Sequence, residues 1–142
     1  MIEILMVDDH AIFRSGMRRL LSDEPDMRIV AEAANGQEAI ECLRRRSFGV
    51  VLLDVNMSGR SGLDTLRRIR LEWPAQAVIL LSMYPEDQYA IRALKAGASG
   101  FLLKDARPAE LLDEWLAEIT ETLAAWDKAN PDRPSAPFAI NQ

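Results

Sequence analysis

Short apolar runs recur along the chain, and each ends on a polar residue or a turn signal. The runs are Ile4–Val7, Ile29–Ala31, Val50–Leu53, Ala77–Ser82 and Gly100–Leu103. Unbroken runs of this length are typical of strands that are buried on both faces of a parallel sheet. Between the first two runs, the spacing of Phe13, Met17 and Leu20 indicates a helix with one apolar face. The pattern therefore predicts strands that alternate with helices.

Turn and capping residues divide the chain at the same places. Helices are predicted after His10, over 37–46, from 61 to 73, over 85–96 and from Pro108 onward. Ser61 suits an N-cap, Pro74 ends the third helix, and Pro108 suits a first helical position. Five strands and five helices in strict alternation, with a helix in each crossover, predict a doubly wound α/β fold around a parallel sheet.

The last helix carries an apolar stripe that continues past the end of the expected domain. Leu112, Leu116, Ile119, Leu123 and Trp126 are spaced by four and three residues, as in a coiled coil. We expect the helix to reach about Ala129, and we expect the stripe to pack on a partner rather than on its own domain. The prolines beyond it predict a flexible end. These features predict a domain at 1–118, a helical extension at 119–129 and a tail at 130–142.

The distribution of charge argues against direct binding of nucleic acid. Residues 1–108 hold 15 acidic and 15 basic side chains, so the whole net charge of −5 lies in residues 109–142. An acidic segment is a poor partner for a phosphate backbone. The single cysteine, Cys42, excludes an internal disulfide and is expected to be a small apolar filler on a helix. With no membrane-spanning run and no signal sequence, we expect a cytoplasmic location and no membrane partner.

Four of the five predicted strands end on groups that carry chemistry. Asp8 and Asp9 follow the first strand, and Asp54, Ser82 and Lys104 end the third, fourth and fifth. Because parallel strands end at one edge of the sheet, these groups are expected to meet. Three carboxylates in one site repel each other, and Mg²⁺ would relieve that repulsion. A lysine and a hydroxyl beside them suit a phosphoryl group, so the set predicts an aspartyl phosphate.

These residues resemble the receiver domain of bacterial two-component response regulators over about residues 2–118. The matching motifs are Asp8-Asp9, Asp54 with Asn56-Met57, Ser82 and Lys104. Asp-Asp-His at 8–10 and the segment 97–105 are similar to the NarL-like, LuxR-type branch. The resemblance implies a flavodoxin-like sheet with strand order 2-1-3-4-5.

The resemblance also implies a role for each matching residue. Asp54 would accept a phosphoryl group from a sensor histidine kinase, with Lys104 and Ser82 as the other catalytic groups. Mg²⁺ would be bound by the side chains of Asp9 and Asp54 and by the backbone carbonyl of Asn56, with Asp8 acting directly or through a water molecule. Ser82 and Phe101 would then move as a switch, although Phe101 fits a plain core position equally well. The protein would be a signalling switch and homodimer that controls an output such as transcription, and no enzyme beyond its own phosphorylation and dephosphorylation.

Two features depart from that family. Ser58 stands where the family usually has proline, which implies a looser loop beside the site. Only 24 residues follow position 118, since 142 minus 118 is 24, and these are too few for the helix-turn-helix output domain of the NarL-like branch. We therefore expect either an excised receiver or a stand-alone receiver, with no direct DNA contact.

The same residues distinguish a phosphorylated switch from other functions. The alternative is an interaction module that dimerises independently of phosphate. Dimers that form without phosphorylation would favour that alternative. An aspartyl phosphatase is disfavoured because its general acid would stand two residues after Asp54, where the chain has Asn56. Nucleotide or flavin binding is also disfavoured, because no glycine-rich nucleotide-binding motif follows a strand. His10, the only histidine, is expected to be a solvated loop residue near the site rather than a base or ligand.

Overall fold

The structure, a computed structural model, describes residues 1–57, 60–83, 88–104 and 108–129. Within these ranges, the side chains at 56, 60, 61, 88–90, 93, 108–112 and 114 are not described. The strands of the main sheet are β1 (Ile2–Val7), β2 (Met27–Ala33), β3 (Val50–Asp54), β4 (Val78–Ser82) and β5 (Gly100–Leu103). The helices are α1 (Ala11–Leu21), α2 (Gly36–Arg45), α3 (Gly62–Glu72), α4 (Gln88–Lys95) and α5 (Pro108–Ala129). No helix in these ranges is long and apolar enough to cross a membrane.

The five strands form one parallel sheet in the order β2-β1-β3-β4-β5, which is the predicted order. Val7 at the end of β1 is aligned with Leu53, and Asp54 at the end of β3 is aligned with Leu81. Ser82 at the end of β4 is aligned with Leu103. This register places the polar groups that follow β1, β3, β4 and β5 at one edge of the sheet.

Alternate residues of the central strands enter two separate core layers, because side chains of a strand point in turn to opposite faces. Val51 and Leu53 of β3 lie in the layer covered by α2 and α3. Val50 and Leu52 lie in the layer covered by α1 and α5. Every residue of β3 and β4 is buried, which explains their unbroken apolar sequences.

The predicted strand and helix boundaries lie within two residues of those in the structure, except at the start of α4. Helix α4 begins at Gln88, three residues after the predicted start at Pro85, and 84–87 are not described. The side chain of Ser61, the predicted N-cap of α3, is also outside the described set, as are Ser58 and the predicted tail at 130–142. Asn56–Met57 and Arg60–Ser61 form a two-residue antiparallel ladder between β3 and α3, which was not predicted.

The apolar stripe of α5 packs on its own domain, so the expectation that it faces a partner is wrong. Ile119 and Leu123 are buried in the same core layer as Leu52 of β3. Leu116 and Trp126 are partly buried against that layer, and the side chain of Leu112 is not described. The helix does extend to Ala129 as predicted. A domain boundary at residue 118 stays a prediction.

Arg70 of α3 ties the far end of α5 to the body of the domain. Its guanidinium donates to the carbonyl of Gly97 at 2.8 Å, to that of Pro74 at 3.1 Å and to that of Gln76. The same group lies 4.8 Å from the ring centroid of Trp126, a cation–π distance. Burial lowers the pKa of Arg70 to about 10, so the group remains charged at neutral pH. Trp126 Nε1 also donates to the carbonyl of Ala75 at 2.8 Å.

Cys42 lies on α2 and is half-buried against the layer that α2 and α3 cover. Burial raises the pKa of its thiol above the ordinary value. The thiolate, which is the nucleophilic form, is therefore disfavoured. These observations fit the predicted role of a small apolar filler.

Candidate functional site

Two carboxylates are buried at the ends of adjacent strands. Asp8 directly follows β1 and is 0% exposed, and Asp54 ends β3 and is 2% exposed. The backbone continues the sheet hydrogen bonding here, since Asp8 N donates to Ala33 O and Val55 N donates to Leu81 O. Asp9 lies beside them with its side chain 20% exposed. Buried carboxylates need a compensating charge, because ionised groups lose solvation on burial.

Lys104, directly after β5, supplies a positive charge to both buried carboxylates. Its Nζ lies 2.7 Å from Asp8 Oδ2 and 3.3 Å from Asp54 Oδ2. The backbone N of Lys104 donates to Ser82 O at 2.6 Å, which fixes the start of the side chain at the sheet edge. The ammonium also lies 4.7 Å from the ring centroid of Phe13 on α1. The lysine is thus enclosed between acidic oxygens and an aromatic face.

His10 lies closer to these groups than the sequence predicted. Its side chain is 62% exposed, in agreement with a solvated loop residue, but Nδ1 lies 2.9 Å from Asp8 Oδ1 and 3.1 Å from Asp9 Oδ1. Nδ1 is also 3.8 Å from Asp54 Oδ2 and 2.9 Å from Lys104 Nζ. The ring therefore has one edge in solvent and one edge inside the site.

The loop after β1 is held by contacts within the first turn of α1. The backbone N of His10 donates to Asp8 Oδ1 at 2.7 Å, and Arg14 Nη1 donates to Asp8 O. Arg14 Nε in turn donates to Glu32 Oε1 of β2 at 3.1 Å. Because backbone and side-chain atoms of Asp8 are both bonded, the position of its carboxylate is well defined.

Gly62 holds the start of α3 against the end of β3. A Cβ atom at this position would lie 2.3 Å from Asp54 O and 2.9 Å from Val55 Cα, and both of these are backbone atoms that cannot rotate away. Gly62 N donates to Val55 O at 2.9 Å. The close approach keeps the connection between β3 and α3 next to the carboxylate of Asp54.

Replacing Gly62 with alanine is expected to lower the free energy of unfolding by about 1–3 kcal/mol, because the added methyl group forces the backbone of α3 and β3 apart. Urea unfolding followed by tryptophan fluorescence measures the change. Gly16→Ala is the matched control, since a Cβ at that helical position meets nothing within 4 Å. The control should raise stability by about 0.5–1 kcal/mol. Equal stabilities of the two variants would contradict the close-approach argument.

Three further predicted site residues, Ser82, Phe101 and Asn56, lie on or next to the strands around Asp54. Ser82 is fully buried at the end of β4, at the same sheet edge as Asp54. Phe101 is half-buried in β5 and packs against the layer under α2 and α3. It is aligned with Leu80, two positions before Ser82 along β4. Asn56 lies in the short ladder directly after β3, and its side chain is not described. The roles predicted for these residues stay predictions.

The cluster has the composition of a cation site. One ligand atom each from Asp8, Asp9, His10 and Asp54 can be chosen so that all lie within 4.8 Å of one another. Three carboxylates against one lysine leave two negative charges when the imidazole is neutral. A divalent cation would balance them, and the oxygen donors suit a hard ion. The donor set therefore fits a metal ion.

Some contributors to the site were not identified from the sequence. Phe13 was placed on the apolar face of α1, and its contact with Lys104 follows from the way α1 packs next to β5. Arg14 carries no motif that marks it as part of the site, and its bond to Asp8 O needs the tertiary structure. The position of His10 directly after the acidic pair pointed to the site, but the residue was expected to be a solvated loop residue rather than a ligand.

Comparison with known proteins shows what the chain resembles. The family described as response regulator receiver domain matches residues 4–115. The nitrate/nitrite response regulator protein NarL of Escherichia coli is 39% identical over 109 residues, which cover 77% of this chain and 50% of NarL. The chain spans about half the length of curated relatives such as NarL.

Solved structures agree with the fold. A two-component response regulator of the LuxR family from Aurantimonas sp. SI85-9A1 superposes with a TM-score of 0.73 at 35% identity, covering 84% of this chain and 86% of that one. The response regulator domain of Thermotoga maritima CheB gives a TM-score of 0.77 at 27% identity, covering 85% and 95%. The flavodoxin-like architecture expected from the sequence is thereby confirmed.

Proposed function

Since this chain belongs to the response regulator receiver domain family, we propose that it is the phosphoacceptor switch of a two-component system, with Asp54 as the acceptor. The proposal rests on the position of Asp54. Its carboxylate is buried at the end of the central strand, 3.3 Å from Lys104 Nζ and beside Asp8 and Asp9. A carboxylate that is shielded from bulk water but next to a fixed cation suits attack on a phosphoryl group.

In the proposed reaction, a carboxylate oxygen of Asp54 forms a bond to phosphorus while the bond from phosphorus to the nitrogen of a phosphohistidine breaks. The leaving imidazole remains on a sensor histidine kinase, which is the proposed partner. Asp8, Asp9, Asp54 and the backbone carbonyl of Asn56 would hold Mg²⁺. When bound, Mg²⁺ supplies positive charge to the phosphoryl oxygens during transfer.

Lys104 has a second role in this reaction. In the structure its ammonium contacts Asp8 and Asp54, and after transfer it would pair with the phosphoryl oxygens instead. Ser82 would donate a hydrogen bond to the new phosphoryl group from the neighbouring strand end. Movement of Ser82 would be passed to Phe101 on β5, because the two residues lie on paired strands.

The output of the switch is proposed from the named relatives. The matches include nitrate/nitrite response regulators and the transcriptional regulatory protein DegU of Brevibacillus brevis. By analogy, this chain would control transcription in the cytoplasm as a homodimer, and DNA would be bound by a helix-turn-helix domain that these residues do not contain. It would act on its own phosphorylation state and on no separate substrate.

The test is the intact mass of the protein after incubation with acetyl phosphate and Mg²⁺, beside an Asp54→Asn variant. A single phosphoryl adduct is expected on the parent protein, and none on the variant, because the amide is not a nucleophile for phosphorus. Circular dichroism of both proteins verifies that the variant is folded. An adduct on the variant would refute the assignment of Asp54. No adduct on either protein would favour the phosphate-independent dimerisation module.

A further inference from the structure

The backbone of His10 is fixed next to the acidic site. Its N donates to Asp8 Oδ1 at 2.7 Å, and its O accepts from Arg14 N at 3.1 Å in the first turn of α1. Only side-chain rotation can therefore move the ring away from the site. His10 is also the only histidine of the chain.

The imidazole nitrogen is spaced from the carboxylates as ligands of one ion are spaced from each other. Ligands about 2.1 Å from an octahedral ion lie about 3 Å apart when adjacent and about 4.2 Å apart when opposite. Nδ1 of His10 lies 2.9 Å from Asp8 Oδ1, 3.1 Å from Asp9 Oδ1 and 3.8 Å from Asp54 Oδ2. All these distances lie within the range for a single coordination sphere.

A second observation shows that these donors face one common space. The ammonium of Lys104 lies 2.7 Å from Asp8 Oδ2, 2.9 Å from His10 Nδ1 and 3.3 Å from Asp54 Oδ2. One cation thus already contacts an imidazole nitrogen together with two carboxylates. A metal ion bound to these donors would replace the ammonium as their shared positive charge.

We propose that His10 Nδ1 is a ligand of the metal held by Asp8, Asp9 and Asp54, and that the site binds a first-row transition-metal ion such as Mn²⁺ more tightly than Mg²⁺. The inference rests on the proposed function, in which these carboxylates hold a divalent cation. Its chemical basis is the nitrogen donor. Mg²⁺ prefers oxygen ligands and retains several waters, whereas imidazole binds transition-metal ions well.

The exposure of His10 is compatible with this role. Its side chain is 62% exposed, while Nδ1 faces the carboxylates. An exposed ligand also allows the ion to exchange without opening the core. Neither Asp8 nor Asp54 could provide such an opening, because both are buried.

The experiment measures Mn²⁺ and Mg²⁺ binding to the tag-free protein, to His10→Gln and to Ile12→Ala. Free Mn²⁺ is followed by its electron paramagnetic resonance signal, and Mg²⁺ is measured by calorimetry. Ile12 is the matched control, because it lies two residues further along and is 90% exposed. Pulsed measurements on bound Mn²⁺ detect coupling to nitrogen, and with one histidine in the chain an imidazole coupling has a single source.

We expect nitrogen coupling in the parent protein and in Ile12→Ala, and its loss in His10→Gln. The affinity of His10→Gln for Mn²⁺ should fall by about tenfold, while its affinity for Mg²⁺ should change by less than about twofold. Bound Mn²⁺ without nitrogen coupling, or tighter metal binding by His10→Gln, would overturn the role of His10 and leave the proposed function intact. Failure of the parent protein to bind either ion would overturn the metal site itself.

Discussion

Replacement of Lys104 with methionine is expected to lower the free energy of unfolding of the metal-free protein by about 3–5 kcal/mol. The ammonium is enclosed between Asp8 and Asp54, which are both buried, and methionine preserves most of the side-chain volume while removing the charge. The carboxylates would then face each other without a compensating cation. Both the lost attraction and the remaining repulsion destabilise the folded state.

Urea unfolding in the presence of EDTA, followed by tryptophan fluorescence, measures this effect. Lys128→Met is the matched control, since Lys128 is exposed on α5, and its effect should stay within about 0.5 kcal/mol. The double variant Lys104→Met/Asp54→Asn should recover at least about 1 kcal/mol, because contacting groups do not act additively. If Lys104→Met unfolds at the same urea concentration as Lys128→Met, the lysine does not compensate the buried carboxylates.

Added Mg²⁺ separates charge compensation from simple packing. A ligand at about 100 times its Kd stabilises the state that binds it by about 2.7 kcal/mol. The gain should be larger for Lys104→Met than for the parent protein, because the ion replaces the missing positive charge and meets no competing ammonium. Equal gains in both proteins would indicate that methionine destabilises by poor packing instead.

The sequence predicted the sheet and the convergence of its polar groups for physical reasons. Strands β3 and β4 are buried on both faces, so their apolar runs are unbroken and easy to identify. Asp54 and Lys104 end or follow parallel strands, and this topology alone brings them to one edge. The strand order depended on resemblance to a family, since apolar patterning does not state which strands pair.

The contacts that the sequence did not predict depend on the packing of one element against another. The 2.3 Å distance from a Cβ at Gly62 to Asp54 O exists only when α3 is docked on β3, and the local sequence resembles an ordinary turn. His10 was expected in solvent, and its exposure was right, but the direction of Nδ1 is a property of side-chain rotation that no periodicity encodes. Such details decide which ions a site prefers.

The stripe on α5 was predicted, but the surface that it covers was not. Spacing by four and three residues puts Ile119, Leu123 and Trp126 on one face, and that spacing is the same whether the face meets a partner or the sheet of its own domain. Contacts far away in the sequence decide between the two. Arg70 of α3 stacks on Trp126, and Trp126 Nε1 donates a hydrogen bond to the carbonyl of Ala75. These two contacts hold the end of α5 on the domain.

Leu123→Ala is therefore expected to lower the free energy of unfolding by about 2–5 kcal/mol, although the residue lies beyond the predicted domain boundary. Leu123 is 2% exposed and belongs to the core layer under α1 and α5, so its truncation leaves a cavity. Thermal and urea unfolding measure the change at several protein concentrations. Glu121→Ala, at an exposed position of the same helix, should change stability by less than about 0.5 kcal/mol.

Measurements at several protein concentrations show whether the apolar stripe of α5 packs on its own domain or on a partner. If Leu123 stabilises its own domain, the loss is the same at every concentration, because folding of a monomer does not depend on concentration. A loss of stability in Leu123→Ala that becomes smaller on dilution, together with a smaller apparent mass of the variant in sedimentation, would place the stripe in a dimer interface instead. In that case the contacts of Arg70 and Ala75 with Trp126 would not be sufficient to hold the extension of α5 on its own domain.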